Sequence, residues 1–369
     1  MTDKKNKSQD KATYIADVKE QRSTPETKQV SPRGKASIAS DGFADITYTA
    51  AKDYVVGQKV KRPLMDPWHR RRSVWDPIHK TKELIGAGIK IAILDSGIAK
   101  HRSLKTPTVR KSYRNGAEPV VDYPESWVEN MHGTHVASIA AGQDGLGAAP
   151  GAELMDYQVL YGRAGSGHNV GIAAAIYDAV DDGADIINMS LGSDGDFPID
   201  ERVEAALIYA IENGVYVFAA AGNSGFVAGR NSVDDPGRSA NSIAVAAIRS
   251  DGTIAGFSGG GDEVDMAAPG ENITGADFRG GVVAISGTSM ACPDAAGTCA
   301  IALERSDRSG KARPKTLAEL IDLMVYGAVD GGAPGEDQRF GKGVPRVDKI
   351  AENLSSPDVT AMNQSKSGI

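Results

Sequence analysis

Three short stretches of the chain hold the residue types that acyl transfer demands. Ser289 lies in Ser286-Gly287-Thr288-Ser289-Met290-Ala291-Cys292-Pro293, at the head of an Ala-rich stretch that reads as a helix. His132 opens a second helical stretch, His132-Gly133-Thr134-His135-Val136-Ala137, and Asp95 closes the apolar run Ile91-Ala92-Ile93-Leu94. Amide hydrolysis needs an activated nucleophile, a base to take its proton, a group to orient that base and donors for the oxyanion. A serine at a helix start can attack a carbonyl while the N–H groups of that helix end face the developing charge. Each residue also has a plain structural reading. Serine is a common helix N-cap, an Asp after a strand caps a turn, and a His pair at i, i+3 has metal-ligand spacing. No Glu separates His132 from His135 as in the zinc-peptidase motif, and no third ligand stands out. Of the six histidines (69, 79, 101, 132, 135 and 168), only these two open a Gly-Thr helix start. Asn223, in Ala221-Gly222-Asn223-Ser224-Gly225, would alone be a turn signal. Here it follows an apolar strand.

Groups so far apart in sequence need a scaffold to bring them together. From residue 89 onward strands and helices alternate. Residues 89–94, 154–160, 186–190, 215–220 and 243–248 read as buried strands. Residues 169–182 and 200–213 read as amphipathic helices; Val203, Ala206, Leu207, Ala210 and Ile211 recur at i, i+3, i+4, i+7, i+8. Residues 289–304 and 314–326 complete the helical set. This alternation predicts an α/β three-layer sandwich, with a mainly parallel central sheet flanked by helices. Ligands of such folds collect beyond the carboxyl ends of the strands, and Asp95, Ser190 and Asn223 fall at or just past such ends.

The order Asp, His, Ser, with a Gly-Thr-Ser-Met-Ala-x-Pro segment around the serine, resembles the subtilisin-like serine peptidases, the subtilases. The resemblance spans about residues 80–350, through Phe340-Gly341-Lys342-Gly343. It implies that Asp95, His132 and Ser289 are the catalytic triad, that His135 is structural, and that the Asn223 amide donates to the oxyanion. It implies further that Gly165-Ser166-Gly167 and Ser190-Leu191-Gly192 pair with the substrate backbone as edge strands; for the Gly-rich loop a flexible connector is the competing reading. Two positions depart from the family pattern. Cys292 replaces a usual Ser, and Asp294 replaces a common His and adds negative charge about one turn past Ser289. The loop around Gly142-Gln143-Asp144-Gly145 is too short for the calcium site many subtilases carry. No cofactor is expected to be required and no metal site is assigned. Asp194, Asp196 and Asp200 offer calcium ligands elsewhere, with a solvated acidic loop as the alternative.

The 369 residues suffice for a sizeable core, and 43 glycines indicate many tight turns. The net charge of −7 is uneven: residues 1–80 carry 17 Lys/Arg against 10 Asp/Glu, so the rest of the chain sums to −14. An acidic body lacks the footprint that phosphate binding needs, which argues against nucleic acid as a partner. No apolar run reaches membrane-spanning length, so no membrane partner is expected either. The polar, charged start has no secretory character, and Cys292 and Cys299, seven residues apart on one helix, lie too far apart to bridge. Both features point to a cytoplasmic, reducing setting.

Residues 1–62 are expected to form a polar, partly disordered N-terminal extension or propeptide, residues 63–354 the catalytic domain, and 355–369 a disordered tail. Lys61-Arg62 is a place for processing if the extension inhibits; a tail without a regulatory role is the alternative. Trp68 and Trp75, in a Pro-broken connector, are expected to anchor it to the body. The expected activity is serine endopeptidase action on polypeptides through an acyl-enzyme. The resemblance implies that Ser224 to Arg230 help shape the pocket for the side chain next to the scissile bond; nothing there dictates a charged residue, so a broad or apolar preference is expected. The rival readings are a catalytically silent peptide-binding or assembly domain and a small-molecule esterase.

Overall fold

The structure is a computed structural model and describes residues 47–49, 68–69, 78–79, 84–193 and 198–354. In chain order its elements are β1 (Thr47–Thr49), β2 (Lys90–Asp95), β3 (Val109–Ser112), β4 (Val120–Val121), α1 (His132–Ala141), β5 (Glu153–Gln158), β6 (Ser166–His168), α2 (Asn169–Asp181), β7 (Ile186–Met189), α3 (Glu201–Glu212), β8 (Tyr216–Ala220), β9 (Ile243–Ile248), β10 (Val264–Pro269), β11 (Ile273–Ala276), β12 (Val282–Ile285), α4 (Thr288–Ser309), α5 (Leu317–Met324) and α6 (Val347–Asn353).

Eight strands form one sheet in the order β10-β9-β8-β7-β2-β5-β3-β4. Every pair in it is parallel except β3–β4 at the edge. The period-2 alternation of a strand buried on both faces divides the core. Ile91, Ile93, Leu154, Ile186 and Phe218 pack on one side with α1 and α4. Ala92, Leu94, Met155, Ile187 and Val217 pack on the other with α2 and α3. This is the three-layer α/β sandwich that the strand–helix alternation predicts. After β2 the chain builds the β3–β4 edge and returns through α1 to β5 beside β2; it then crosses to β7 on the other flank of β2. Asp95, the last residue of β2, therefore ends at the crevice where the winding changes direction.

The sheet and hairpin strands absent from the sequence expectation are short or poor in β-branched residues: β3, β4, β10 and the hairpin β11–β12; β1 and the short helix α6 were not expected either. The helix expected over 314–326 is shorter at both ends. Thr316 caps it by accepting from Glu319 N at 3.2 Å, so it begins at Leu317. Trp68 anchors the connector by donating from Nε1 to the Glu271 carbonyl at 3.1 Å, and Ile78 is buried in the core. Trp75, most of the 1–62 extension and the 355–369 tail lie outside the described residues.

Candidate active site

His132 and Ser289 open the two helices, α1 and α4, that pack against each other on one face of the sheet. Asp95 reaches His132 from the end of β2. The imidazole Nδ1 lies 2.8 Å from Asp95 Oδ1 and 2.9 Å from Oδ2. A carboxylate accepts only, so Nδ1 carries the proton and Nε2 is the atom left to act as a base. The pair is buried: Asp95 shows no surface and His132 4%. The Ser96 backbone N–H donates to Asp95 Oδ1 at 2.6 Å, and the Ser96 hydroxyl receives the Gly133 N–H at 3.0 Å. Asn130 Oδ1 accepts from the His132 N–H at 2.8 Å and so holds the start of α1. Residue 133 must be glycine for a reason of space. A Cβ there would fall 2.6 Å from the Gly97 carbonyl and 3.1 Å from Asp95 Oδ1, pushing the helix off the strand end.

Ser289 is fixed by the end of β7. Its hydroxyl donates to the Ser190 carbonyl at 3.4 Å, and the Ser190 hydroxyl donates to the Ser289 carbonyl at 2.8 Å. Pro293 explains why that carbonyl is open to Ser190. It stands four residues after Ser289, where a helix would supply the next N–H, and proline has none. Asn188 Nδ2 in turn donates to Ser190 Oγ at 2.9 Å. Ser289 itself has no exposed surface.

Asn223 lies just past β8, facing the same helix end. Its Oδ1 accepts from the Thr288 N–H at 2.9 Å and from the Thr288 hydroxyl at 3.0 Å. A backbone N–H can only donate, so the amide's oxygen end is assigned by chemistry, and its N–H2 end is the one that can serve another acceptor. The Thr288 hydroxyl also accepts from the Gly222 N–H at 3.1 Å. One threonine thus ties α4 to the 221–223 turn.

Of the two predicted cleft segments, the first touches Ser289 through Ser190. Ser190-Leu191-Gly192 continues β7 out of the sheet. Gly165 (φ +65°) turns the chain into Ser166-Gly167-His168, which is β6 and no flexible connector. β1 pairs with it antiparallel, Thr47 opposite His168, Tyr48 opposite Gly167 and Thr49 opposite Ser166.

His135 does not share a ligand position with His132. Its Nε2 is 3.1 Å from the Val283 carbonyl and its ring lies flat against Gly275. Complete burial lowers its pKa to about 4 and keeps it neutral. Cys292 and Cys299 are free and buried, and burial pushes both thiols up. Asp294 is buried within α4. Asp200, considered as a calcium ligand, caps α3 and is forked by Arg202; Asp194 and Asp196 lie outside the described residues. Sequence reasoning missed the groups that hold the site: Ser96, Asn130, Thr288 and the Ser190 side chain. An Asn two residues before a helix start was the one local signal among them.

The class that this fold and site define is matched by comparison with known proteins. A model of the subtilase family matches residues 86–343. The chain is 37% identical over 244 residues to Subtilisin Savinase from Lederbergia lenta, covering 65% of this chain and 85% of that protein. It is 37% identical to an alkaline protease from Shouchella clausii, covering 60% of that protein. It is 35% identical over 268 residues to a minor extracellular protease of Bacillus subtilis, covering 38% of it. The chain belongs to the subtilase family, and it is a subtilisin-like serine endopeptidase. The reading as a catalytically silent domain finds no support in these matches.

Proposed function

We propose that Ser289 is the nucleophile, His132 its general base and Asp95 the carboxylate that fixes the imidazole tautomer. His132 Nε2 takes the hydroxyl proton as Ser289 Oγ attacks the scissile carbonyl. The tetrahedral oxyanion is held by the Asn223 amide and the N–H groups at the start of α4. His132 then gives the proton to the leaving amine, and the acyl-serine is hydrolysed by water in the reverse sequence. The observation that carries this reading is the buried double contact of His132 Nδ1 with Asp95. The substrate backbone adds as a strand between Gly165-Ser166-Gly167 and Ser190-Leu191-Gly192. The partners are polypeptides, and no cofactor is needed for these steps. The free, buried cysteines suit a reducing, cytoplasmic setting.

The extension inhibits. β1 takes the antiparallel place on β6 that the substrate strand would take. Activation then requires cleavage between the extension and the body. A fluorophosphonate probe tests the nucleophile: it labels the wild-type protein and leaves Ser289→Ala unlabelled, and equal labelling of both would overturn the assignment. N-terminal sequencing of the active protein tests the extension. A new terminus between Tyr54 and Trp75 is expected; full activity with the original terminus intact would remove the inhibitory role.

A further inference from the structure

The adjacent parallel strands β7 and β8 part company beyond their carboxyl ends. β7 runs on into Ser190-Leu191-Gly192 and β8 into Ala221-Gly222-Asn223. The crevice between these two walls opens beside Asn223, where the carbonyl under attack must lie. The segment 233–235 closes its floor. Asp234 N donates to the Ala221 carbonyl at 3.2 Å, and Asp235 exchanges backbone hydrogen bonds with Ser193 at 3.0 and 3.2 Å. Both walls therefore hold the backbone of the floor.

The Asp234 side chain rises between the walls at their two glycines. A Cβ added to Gly192 would stand 2.9 Å from Asp234 Cβ and 3.0 Å from Oδ2. One added to Gly222 would stand 2.5 Å from Cγ and 2.9 Å from Oδ1. Gly222 also has φ +93°, so both conformation and space keep this wall bare. The carboxylate is half-buried, where a charge interacts more strongly than in open water. Arg238 neighbours both carboxylates and forks onto Asp235 through Nε at 2.8 Å and Nη2 at 3.0 Å. A carboxylate offers about four acceptor positions, so Asp234 can take a ligand cation beside its contacts within the protein.

We propose that the Asp234 carboxylate selects a Lys or Arg side chain on the residue that contributes the scissile carbonyl. This rests on the assignment of Ser289 and Asn223 above, because that assignment places the carbonyl at the mouth of the crevice. The sequence-based expectation of a broad or apolar preference drew on residues 224–230. Asp234 lies beyond that window, and only the fold brings it between Gly192 and Gly222.

The test is a series of peptide substrates that differ only at the residue before the cleaved bond: Arg, Lys, Leu, Phe and Ala. It is run on the full chain and on its processed form. We expect kcat/KM for Arg and Lys to exceed that for Leu and Phe by roughly 100-fold, and Asp234→Asn to cut the Arg-to-Leu ratio by at least roughly 30-fold, the lower end for losing one partner of a buried charge pair. Benzamidine, a small aryl cation, should slow fluorophosphonate labelling of the wild-type protein. Because the wild-type profile is decisive by itself, a poorly folded Asp234→Asn variant does not protect the proposal. Hydrolysis and labelling with Leu or Phe favoured over Arg would overturn it and leave the peptidase assignment standing. No labelling and no hydrolysis of any substrate would overturn both.

Discussion

Two layers of this molecule use the same residue types to opposite ends. At the rim of the sheet, Asp95 and His132 face each other across the end of β2 and the start of α1. One layer deeper, Asp156 stands on β5 opposite Ile93, and His135 lies one turn further into α1. All four side chains are buried. At the rim a ring N–H meets two carboxylate oxygens, and the Ser96 N–H adds a third contact to that carboxylate. The deep pair has no such arrangement. Asp156 Oδ2 receives the Tyr123 hydroxyl at 2.5 Å and lies 3.4 Å from Arg110 Nε, while its Oδ1 has no partner. Burial outweighs these contacts and raises its pKa to about 7. The two buried aspartates thus share residue type and differ in their position on the strand and in their donors.

Replacing the two aspartates separates the layers most sharply. Asp95→Asn should lower kcat by roughly 10⁴, because the amide favours the wrong imidazole tautomer; steady-state kinetics against an unchanged circular dichroism spectrum would show it. Asp156→Asn should leave kcat within a few-fold and alter stability instead. The folded protein holds the Asp156 proton up to about pH 7, whereas the unfolded chain releases it near 3.8. This group's contribution is thus full below about pH 4 and lost as pH rises to 7. The loss amounts to as much as about 4 kcal/mol at about 1.4 kcal/mol per pH unit. Urea unfolding at several pH values should show the Asn variant gaining on the wild-type protein across that window. A large fall in kcat for Asp156→Asn would erase the distinction.

At the rim again, Asn223→Ala should reduce kcat by about 10²–10³ with little change in KM, the loss seen when a subtilisin gives up such a donor. In the deep layer, His135→Gln should remove a pH dependence of the opposite sign. The folded ring stays neutral down to about pH 4 while the unfolded one protonates near 6.5, so its contribution is full above 6.5 and lost as pH falls to 4. Its size is about 3 kcal/mol by the same conversion, and thermal melts at pH 5 and 7 should reveal it. The smallest effect expected is that of Thr288→Val. Losing its hydrogen bond to Asn223 should lower kcat about tenfold while leaving the Arg-to-Leu preference as it was. A shift in that preference would mean that Thr288 shapes the crevice as well as the oxyanion donor.

Much of the scaffold was legible because burial on both faces writes itself into sequence. The runs around Ile91, Val217 and Ala246 are continuous and apolar, and α3 carries its i, i+3, i+4 stripe plainly. The edge strands β3 and β4 were not legible. They are short, and half of β4 faces solvent, so they lack a periodic signature. Asp95, His132, Ser289 and Asn223 could be singled out because each lies in a compact local motif at an element boundary. Asp234 could not. It follows a polar loop, and nothing in Asn231-Ser232-Val233-Asp234-Asp235 marks which carboxylate turns toward the cleft.

By itself the sequence determined the central strands and long helices, the parallel three-layer arrangement, and that Asp95 ends β2 and His132 starts α1. Hydrophobic period, helix starts and glycine placement are local properties, and local order encodes them. Only the tertiary structure decided what those ends meet: that Pro293 leaves the Ser289 carbonyl to the Ser190 hydroxyl, that Thr288 orients Asn223, and that the Asp234 side chain rises between Gly192 and Gly222. Those contacts join residues from 12 to 99 positions apart along the chain. Their geometry is fixed by how the sheet twists and the helices pack, which no window of neighbouring residues contains.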